Sequence, residues 1–182
     1  PEPAARMMAR IHAEMPPLRG VIHAAGVLDD GILLQQTAER IHTTFAPKAA
    51  GAWNLHCLTD GQALDFFVLF SSVTAPFGSP GQANYAAANA YLDALAHQRR
   101  RLGLSGLVVN WGPLGDAGYL TTHPQVLAQL QSQGHLPMRV GDCLEVLGRL
   151  MVLNPVQVAV ALGDWERRAS LPQQGGPARD RQ

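Results

Sequence analysis

Four polar residues in the first half of this 182-residue chain have the types and spacing of a proton-transfer site. Tyr85 and Asn89 stand four apart in the stretch ANYAAANAYLDALA, which puts them on one face of a helix. Ser72 closes the apolar run LDFFVLFSS, thirteen residues before Tyr85. In open parallel sheets ligands bind beyond the carboxyl ends of the strands, so a strand-end Ser and a helix-start Tyr point into one crevice. A phenol with an ordinary pKa of about 10 becomes a good proton donor near neutrality only if a neighbouring cation lowers that value. Lys48 is the candidate cation. Phe45, Lys48, Ala52 and Leu55 recur at three and four, which places the ammonium on the apolar face of its helix, where a lysine needs a partner or a role. Taken singly, each residue also has an ordinary reading: a surface Lys, a strand-end Ser in a turn, a core Tyr, a solvated Asn.

The elements that must hold these groups read as alternating strands and helices. The chain opens on an amphipathic helix, and GVIHAAG at 20–26, LDFFVLFSS at 64–72, GLVVNWG at 106–112 and QVAVAL at 157–162 are short apolar runs of the kind that form buried parallel strands. Thr37 caps a helix carrying Ile41, Phe45, Ala52 and Leu55, with Pro47 starting or kinking a turn. Ser79-Pro80-Gly81-Gln82 reads as N-cap, first helical proline and capping Gln, and that helix runs to Arg99-Arg100-Arg101 before Gly103 stops it. A further amphipathic helix covers 141–152. Short connections between these elements imply βαβ units, hence an α/β fold of doubly wound, parallel-sheet type. Residues 112–138 read as a Gly-hinged flap with one short helix, and the polar end of the chain, from about 166 to 182, as a linker.

Composition narrows the classes of function. Lys plus Arg equals Asp plus Glu at 14 each, so no net field points to a nucleic acid or an anionic membrane. Cys57 and Cys143 stand alone without metal-ligand spacing, which implies no metal site and two small buried apolar residues. No run reaches the roughly 18 to 20 apolar residues of a membrane span, and the first residues lack a secretory h-region, so a cytoplasmic setting is expected.

Several separate stretches, in order, resemble the ketoreductase domains of type I modular polyketide synthases, members of the short-chain dehydrogenase/reductase superfamily. They are RGVIHAAGVLDDGIL, FAPKAAGAWNLH, FVLFSS, GSPGQANYAAANAYLDALAHQRR and VVNWGPL. The resemblance covers about residues 20 to 116 and continues more weakly to about 165. It implies a Rossmann-like sheet and reduction, with NADPH, of a β-ketoacyl thioester held on the phosphopantetheine arm of an acyl carrier protein. It implies Tyr85 as proton donor, Ser72 as hydrogen-bond donor to the substrate carbonyl, Lys48 as the group that lowers the Tyr85 pKa and holds the cofactor ribose, and Asn89 completing the site. Most of the superfamily carries Lys four residues after Tyr. Here Asn89 occupies that position and Lys48 comes from the earlier helix, an exchange characteristic of the synthase enzymes. His23, Ala24, Ala25 and Gly26 resemble the turn that lets the backbone approach the adenine side of the cofactor, although His23 alone is also an ordinary strand-end histidine. Asn110, Trp111 and Gly112 resemble the turn that lies against the nicotinamide. Leu28-Asp29-Asp30 matches the motif of members that give the D-configured hydroxyl, and Phe77 stands where the opposite class carries Trp; LDDG is otherwise a plain polar turn.

One signature of that family is missing: nothing before residue 20 matches the Gly-rich GxGxxG phosphate-binding turn. The expectation is an incomplete catalytic subdomain over 1–165 that binds NADPH poorly by itself, with the remaining strands and the other synthase domains as partners. A fatty-acid synthase reductase, a free-standing short-chain reductase and a non-catalytic scaffold fragment are the competing readings.

Overall fold

A computed structural model describes residues 2–170. Helix α1 (Glu2–Glu14) leads into strand β1 (Gly20–His23), then α2 (Ala38–Phe45), a π-helical turn (Ala46–Ala50) and α3 (Gly51–Leu58). Strand β2 (Phe66–Ser72) is followed by the short α4 (Thr74–Phe77), the long α5 (Ala83–Arg101) and β3 (Leu107–Trp111). After α6 (Pro124–Ser132), β4 (His135–Leu136) and α7 (Val140–Leu153) come β5 (Gln157–Val160), β6 (Leu162–Gly163) and α8 (Trp165–Ser170). The four long apolar runs form one parallel sheet in the order β1-β2-β3-β5, with His23 beside Leu69 and Ser72 beside Trp111. The expected α/β architecture is therefore present.

The chain divides into two compact units, one running to Trp111 and including Glu145–Val160, the other comprising Gly112–Leu144 and the segment from Ala161. In the first unit β3 is buried along its whole length and β2 nearly so, because both have a paired strand on each side. Phe67, Leu69 and Val108 from these strands pack with Leu92, Leu95 and Ala96 of α5 and Ala52 of α3 to make the core. The three α5 residues follow the three-and-four spacing of a buried helix face. In the second unit β4 and β6 form a two-stranded antiparallel pair that the sequence pattern does not predict, two residues each being too short to show alternation. The expected linker begins inside α8; its remainder, 171–182, lies outside the described residues.

Four local expectations are overturned. Ser79–Gln82 is not the start of α5 but a β-turn closed by Gln82 N–H donating to the Ser79 carbonyl at 3.1 Å, with Gly81 at φ 78°. Pro followed by Gly at the two central positions specifies such a turn, and that preference outweighs the capping pattern. Arg99 is not a solvated helix-end cation. It is 2% exposed, lies 3.7 Å over the Phe67 ring, and donates from Nε to the Ser105 carbonyl and from Nη1 to His56 Nδ1. Cys57 is exposed, whereas Cys143 is buried, and Ile41 is 42% exposed rather than in the core. The helix of the sequence reading is broken by the π-helical turn, which rotates α2 relative to α3, so one apolar stripe cannot serve both.

Candidate functional site

The groups singled out in the sequence converge on the carboxyl ends of β1 and β2. Pro47 has no N–H to donate into its helix, and the ladder there widens: Gly51 N–H reaches back five residues to the Ala46 carbonyl. Lys48 sits inside this π-helical turn and is 4% exposed. Its Nζ donates to the Phe70 carbonyl of β2 at 3.0 Å and lies 5.3 Å from the centre of the Tyr85 ring. Ser72, the last residue of β2, is buried, and its hydroxyl accepts from Thr74 N–H at 3.2 Å. Tyr85 and Asn89 lie on the first turns of α5, where Asn89 Nδ2 donates to the Tyr85 carbonyl at 2.8 Å. Asn89 is wholly buried, yet its Oδ1 has no hydrogen-bond partner. A buried acceptor of this kind is costly unless a ligand or water supplies the donor.

The electrostatics differ from the sequence expectation in one respect. Burial lowers the Lys48 pKa to about 8, opposed by the charge of Asp93. Burial also raises Tyr85, against the side chains of Asn89 and Ser72, which favour its phenolate, while the Asp30 charge adds to the rise. Lys48 is thus close to Tyr85 but does not bring it toward neutrality here. Its ammonium is committed to the Phe70 carbonyl, and desolvation of the phenolate is the larger effect. A phenol held above its usual value keeps its proton at neutral pH but is a weaker acid, the opposite of the tuning that general-acid chemistry near neutrality calls for.

The loop bearing Leu28, Asp29 and Asp30 is tied to the start of α5. Asn84 Nδ2 donates to the Asp29 carbonyl at 2.8 Å and to Thr44 Oγ1 at 3.1 Å, and Gln82 Nε2 donates to Asp30 Oδ2 at 2.9 Å. Gly31 N–H meets the Gly81 carbonyl at 2.8 Å, and Arg40 pairs with Asp29 at 3.3 Å while donating to the Asp30 carbonyl. LDDG is therefore more than a solvated turn: it is anchored just ahead of Tyr85. Asn84, Gln82 and Arg40 escape the sequence reading because their partners are 40 or more residues away or sit on another loop.

The residues proposed for cofactor contact separate into two groups. Ala24, Ala25 and Gly26 are exposed where β1 ends, open to a ligand. His23 is 6% exposed and turned inward, with Nε2 3.1 Å from the Lys48 carbonyl. Asn110 is also fully buried: its Nδ2 faces Ser71 Oγ and the Asp93 carboxylate at 3.0 Å, and its Oδ1 accepts from Gln157. Trp111 packs against Phe70 with its Nε1 buried and unpartnered. Gly112 opens the second unit, where a Cβ would stand 3.0 Å from that of Ala161. Asp93 is a further polar residue missed in the sequence; it follows Asn89 by four as Asn89 follows Tyr85, so the same face argument reaches it. An exposed strand end, a lysine ammonium with protons to spare and an unpartnered amide oxygen together leave this region open to a polar ligand. Among the described residues there is no cluster able to hold a metal ion, and no helix is long and apolar enough to cross a membrane.

Comparison with known proteins is consistent across sequence and structure. The family model of the KR domain matches residues 1–116. A phenolphthiocerol synthesis polyketide synthase type I, Pks15/1, of Mycobacterium marinum is 45% identical over 86% of this chain and 8% of its own length. Polyketide synthase GfsA of Streptomyces halstedii is 49% identical over 71% of this chain and 2% of its own. The chain thus spans under a tenth of these relatives. A solved structure of A-type ketoreductases from a modular polyketide synthase superposes with a TM-score of 0.85 at 43% identity, over 91% of this chain and 35% of that one. The first ketoreductase of the tylosin synthase gives 0.79 at 39% identity, over 90% and 36%.

Proposed function

Since this chain belongs to the KR domain family, the ketoreductases of polyketide synthases, we propose that it carries the proton-donating half of an NADPH-dependent β-ketoacyl reductase. Its substrate is a β-ketoacyl thioester on the phosphopantetheine arm of an acyl carrier protein, presented within a larger synthase. The observation that carries this reading is the placement of the buried Lys48 ammonium 5.3 Å from the Tyr85 ring centre, beside the end of the strand that bears Ser72.

The chemistry NADPH would supply when bound is a hydride for the β-carbonyl carbon. Tyr85 gives its proton to the carbonyl oxygen, so hydride and proton together convert the ketone to an alcohol. Ser72 donates a hydrogen bond to the same oxygen, holding it toward the phenol and stabilising the negative charge that develops there. Lys48, about nine-tenths protonated at pH 7 with a pKa of about 8, stabilises the phenolate left on Tyr85 and offers its remaining protons to the cofactor ribose. Asn89 presents its free Oδ1 as an acceptor, and the exposed backbone at Ala24–Gly26 lies where the adenine side of the cofactor passes. The segment from 112 to 138 is a Gly-hinged flap. The Leu28-Asp29-Asp30 loop, anchored to the turn before Tyr85, favours substrate entry from the side that yields the D-configured hydroxyl, in agreement with Phe77 in place of the Trp of the opposite class.

Tyr85→Phe in the intact reductase tests the assignment. Reduction falls by at least about a hundredfold, while quenching of NADPH fluorescence shows that binding persists. Turnover retained in that variant refutes Tyr85 as the donor.

A further inference from the structure

We propose that His23 is a positioning residue: its imidazole holds the carbonyl of Lys48 and so fixes the π-helical turn that aims the lysine at the site. Lys48 cannot be placed by a regular helix, because the turn around Pro47 has lost the ordinary ladder. Its carbonyl accepts a shared hydrogen bond from Gly51 N–H, which also serves Ala46. His23 Nε2, at 3.1 Å, supplies the second donor from the neighbouring strand. A carbonyl can only accept, so Nε2 carries the proton.

Two glycines shape this clamp. A Cβ on Gly51 would come within 3.1 Å of His23 Cε1, and a Cβ on Gly26 within 3.0 Å of Lys48 Cε. Gly51 therefore makes room for the imidazole and Gly26 for the lysine stem. The sequence His-Ala-Ala-Gly consequently serves two sides: Ala24 and Ala25 stay open to a ligand, while His23 and Gly26 grip the backbone and the stem of Lys48. Its burial and the charge nearby agree with a neutral histidine. His23 is pushed below its usual pKa by burial, countered by its hydrogen bond to Lys48, with the Lys48 charge lowering it further. The other groups facing the ammonium are the Phe70 carbonyl, the Tyr85 ring and Asp93.

The importance of the clamp for reduction rests on the proposed function, but its existence does not, and the test separates the two. In the full 182-residue chain labelled with 13C-lysine, the Lys48 Cε resonance is titrated by NMR in the natural sequence, His23→Gln, His23→Leu and Gly51→Ala. Gln keeps an N–H donor at similar reach, so its Lys48 midpoint stays at about 8. Leu removes the donor and Gly51→Ala displaces the ring, so in both the freed turn lets the ammonium reach water and the midpoint rises toward 10.5. Gly51→Ala is the milder change and reports if His23→Leu does not fold. An unchanged midpoint in a folded His23→Leu or Gly51→Ala chain overturns the clamp, as does a His23→Gln chain that shifts as far as either. A shift in the Lys48 midpoint without any change in the kcat or NADPH KM of the intact reductase leaves the clamp standing and counts instead against Lys48 in catalysis.

Discussion

Lys48→Met should make the protein more stable while abolishing its chemistry. Burial moves the lysine from a pKa of 10.5 to about 8, so holding it in place at pH 7 costs about 3 kcal/mol, at roughly 1.4 kcal/mol per pH unit between the two values. Met fills a similar volume without a charge, but leaves the Phe70 carbonyl without the Nζ donor, a loss of about 1–2 kcal/mol. The net gain is about 1–2 kcal/mol at pH 7, or a Tm increase of roughly 2–8 °C for a chain of this size. The pH dependence is the sharper test. Between pH 8 and 10.5 the unfolded chain holds a proton that the folded one has released, so the natural sequence becomes more stable as pH rises through that window. The advantage of Met is therefore full below pH 8, gone between about pH 9 and 10, and reversed by about pH 10.5, where only the lost Phe70 contact remains. Urea unfolding of both proteins at intervals from pH 7 to 10.5, followed by circular dichroism, measures it. A Met variant less stable than the parent at pH 7, or a difference that does not change with pH, refutes the argument. Residues retained at a cost in stability are common at functional sites, where charge placement matters more than folding energy.

Acid should weaken the fold through two neutral histidines. Burial lowers both His23 and His56 from 6.5, and the Arg99 charge lowers His56 further; below pH 6.5 the unfolded chain binds protons that the folded one resists, so stability falls as pH drops and levels off beneath the folded values. His56→Gln, which can still accept from Arg99, flattens the urea midpoint between pH 7.5 and 5.5, and an unaltered slope contradicts the assignment. Asn84→Ala deletes donors to the Asp29 carbonyl and Thr44 and an acceptor for Tyr85 N–H; a loss of about 2–3 kcal/mol is expected in urea unfolding, and a change under 0.5 kcal/mol, about the size of an ordinary surface substitution, shows that the loop is held otherwise.

The long apolar runs and the fourfold spacing on α5 were readable because they rest on local periodicity. Four strands, the helices between them and the shared face of Tyr85 and Asn89 follow from residues within one or two turns of each other. The Pro-Gly pair at 80–81 was readable too, but two local rules competed there, and the turn preference prevailed over the helix-capping pattern.

Other features depended on distant partners. Arg99 looks like a helix-end charge until Phe67, Ser105 and His56 close around it, and nothing local shows that the Asn110 side chain is taken up by Ser71, Asp93 and Gln157. By itself the sequence determined which groups could do chemistry and where the main strands and helices fall along the chain, since residue type and period are carried by the chain. Only the tertiary structure decided how those groups are charged and aimed. Lys48 is depressed and Tyr85 raised because burial outweighs the opposing groups around them, Asp93 for the one and Asn89 and Ser72 for the other, and a histidine from a neighbouring strand holds the turn that carries Lys48. Desolvation and cross-strand hydrogen bonds come into being only when the chain has folded.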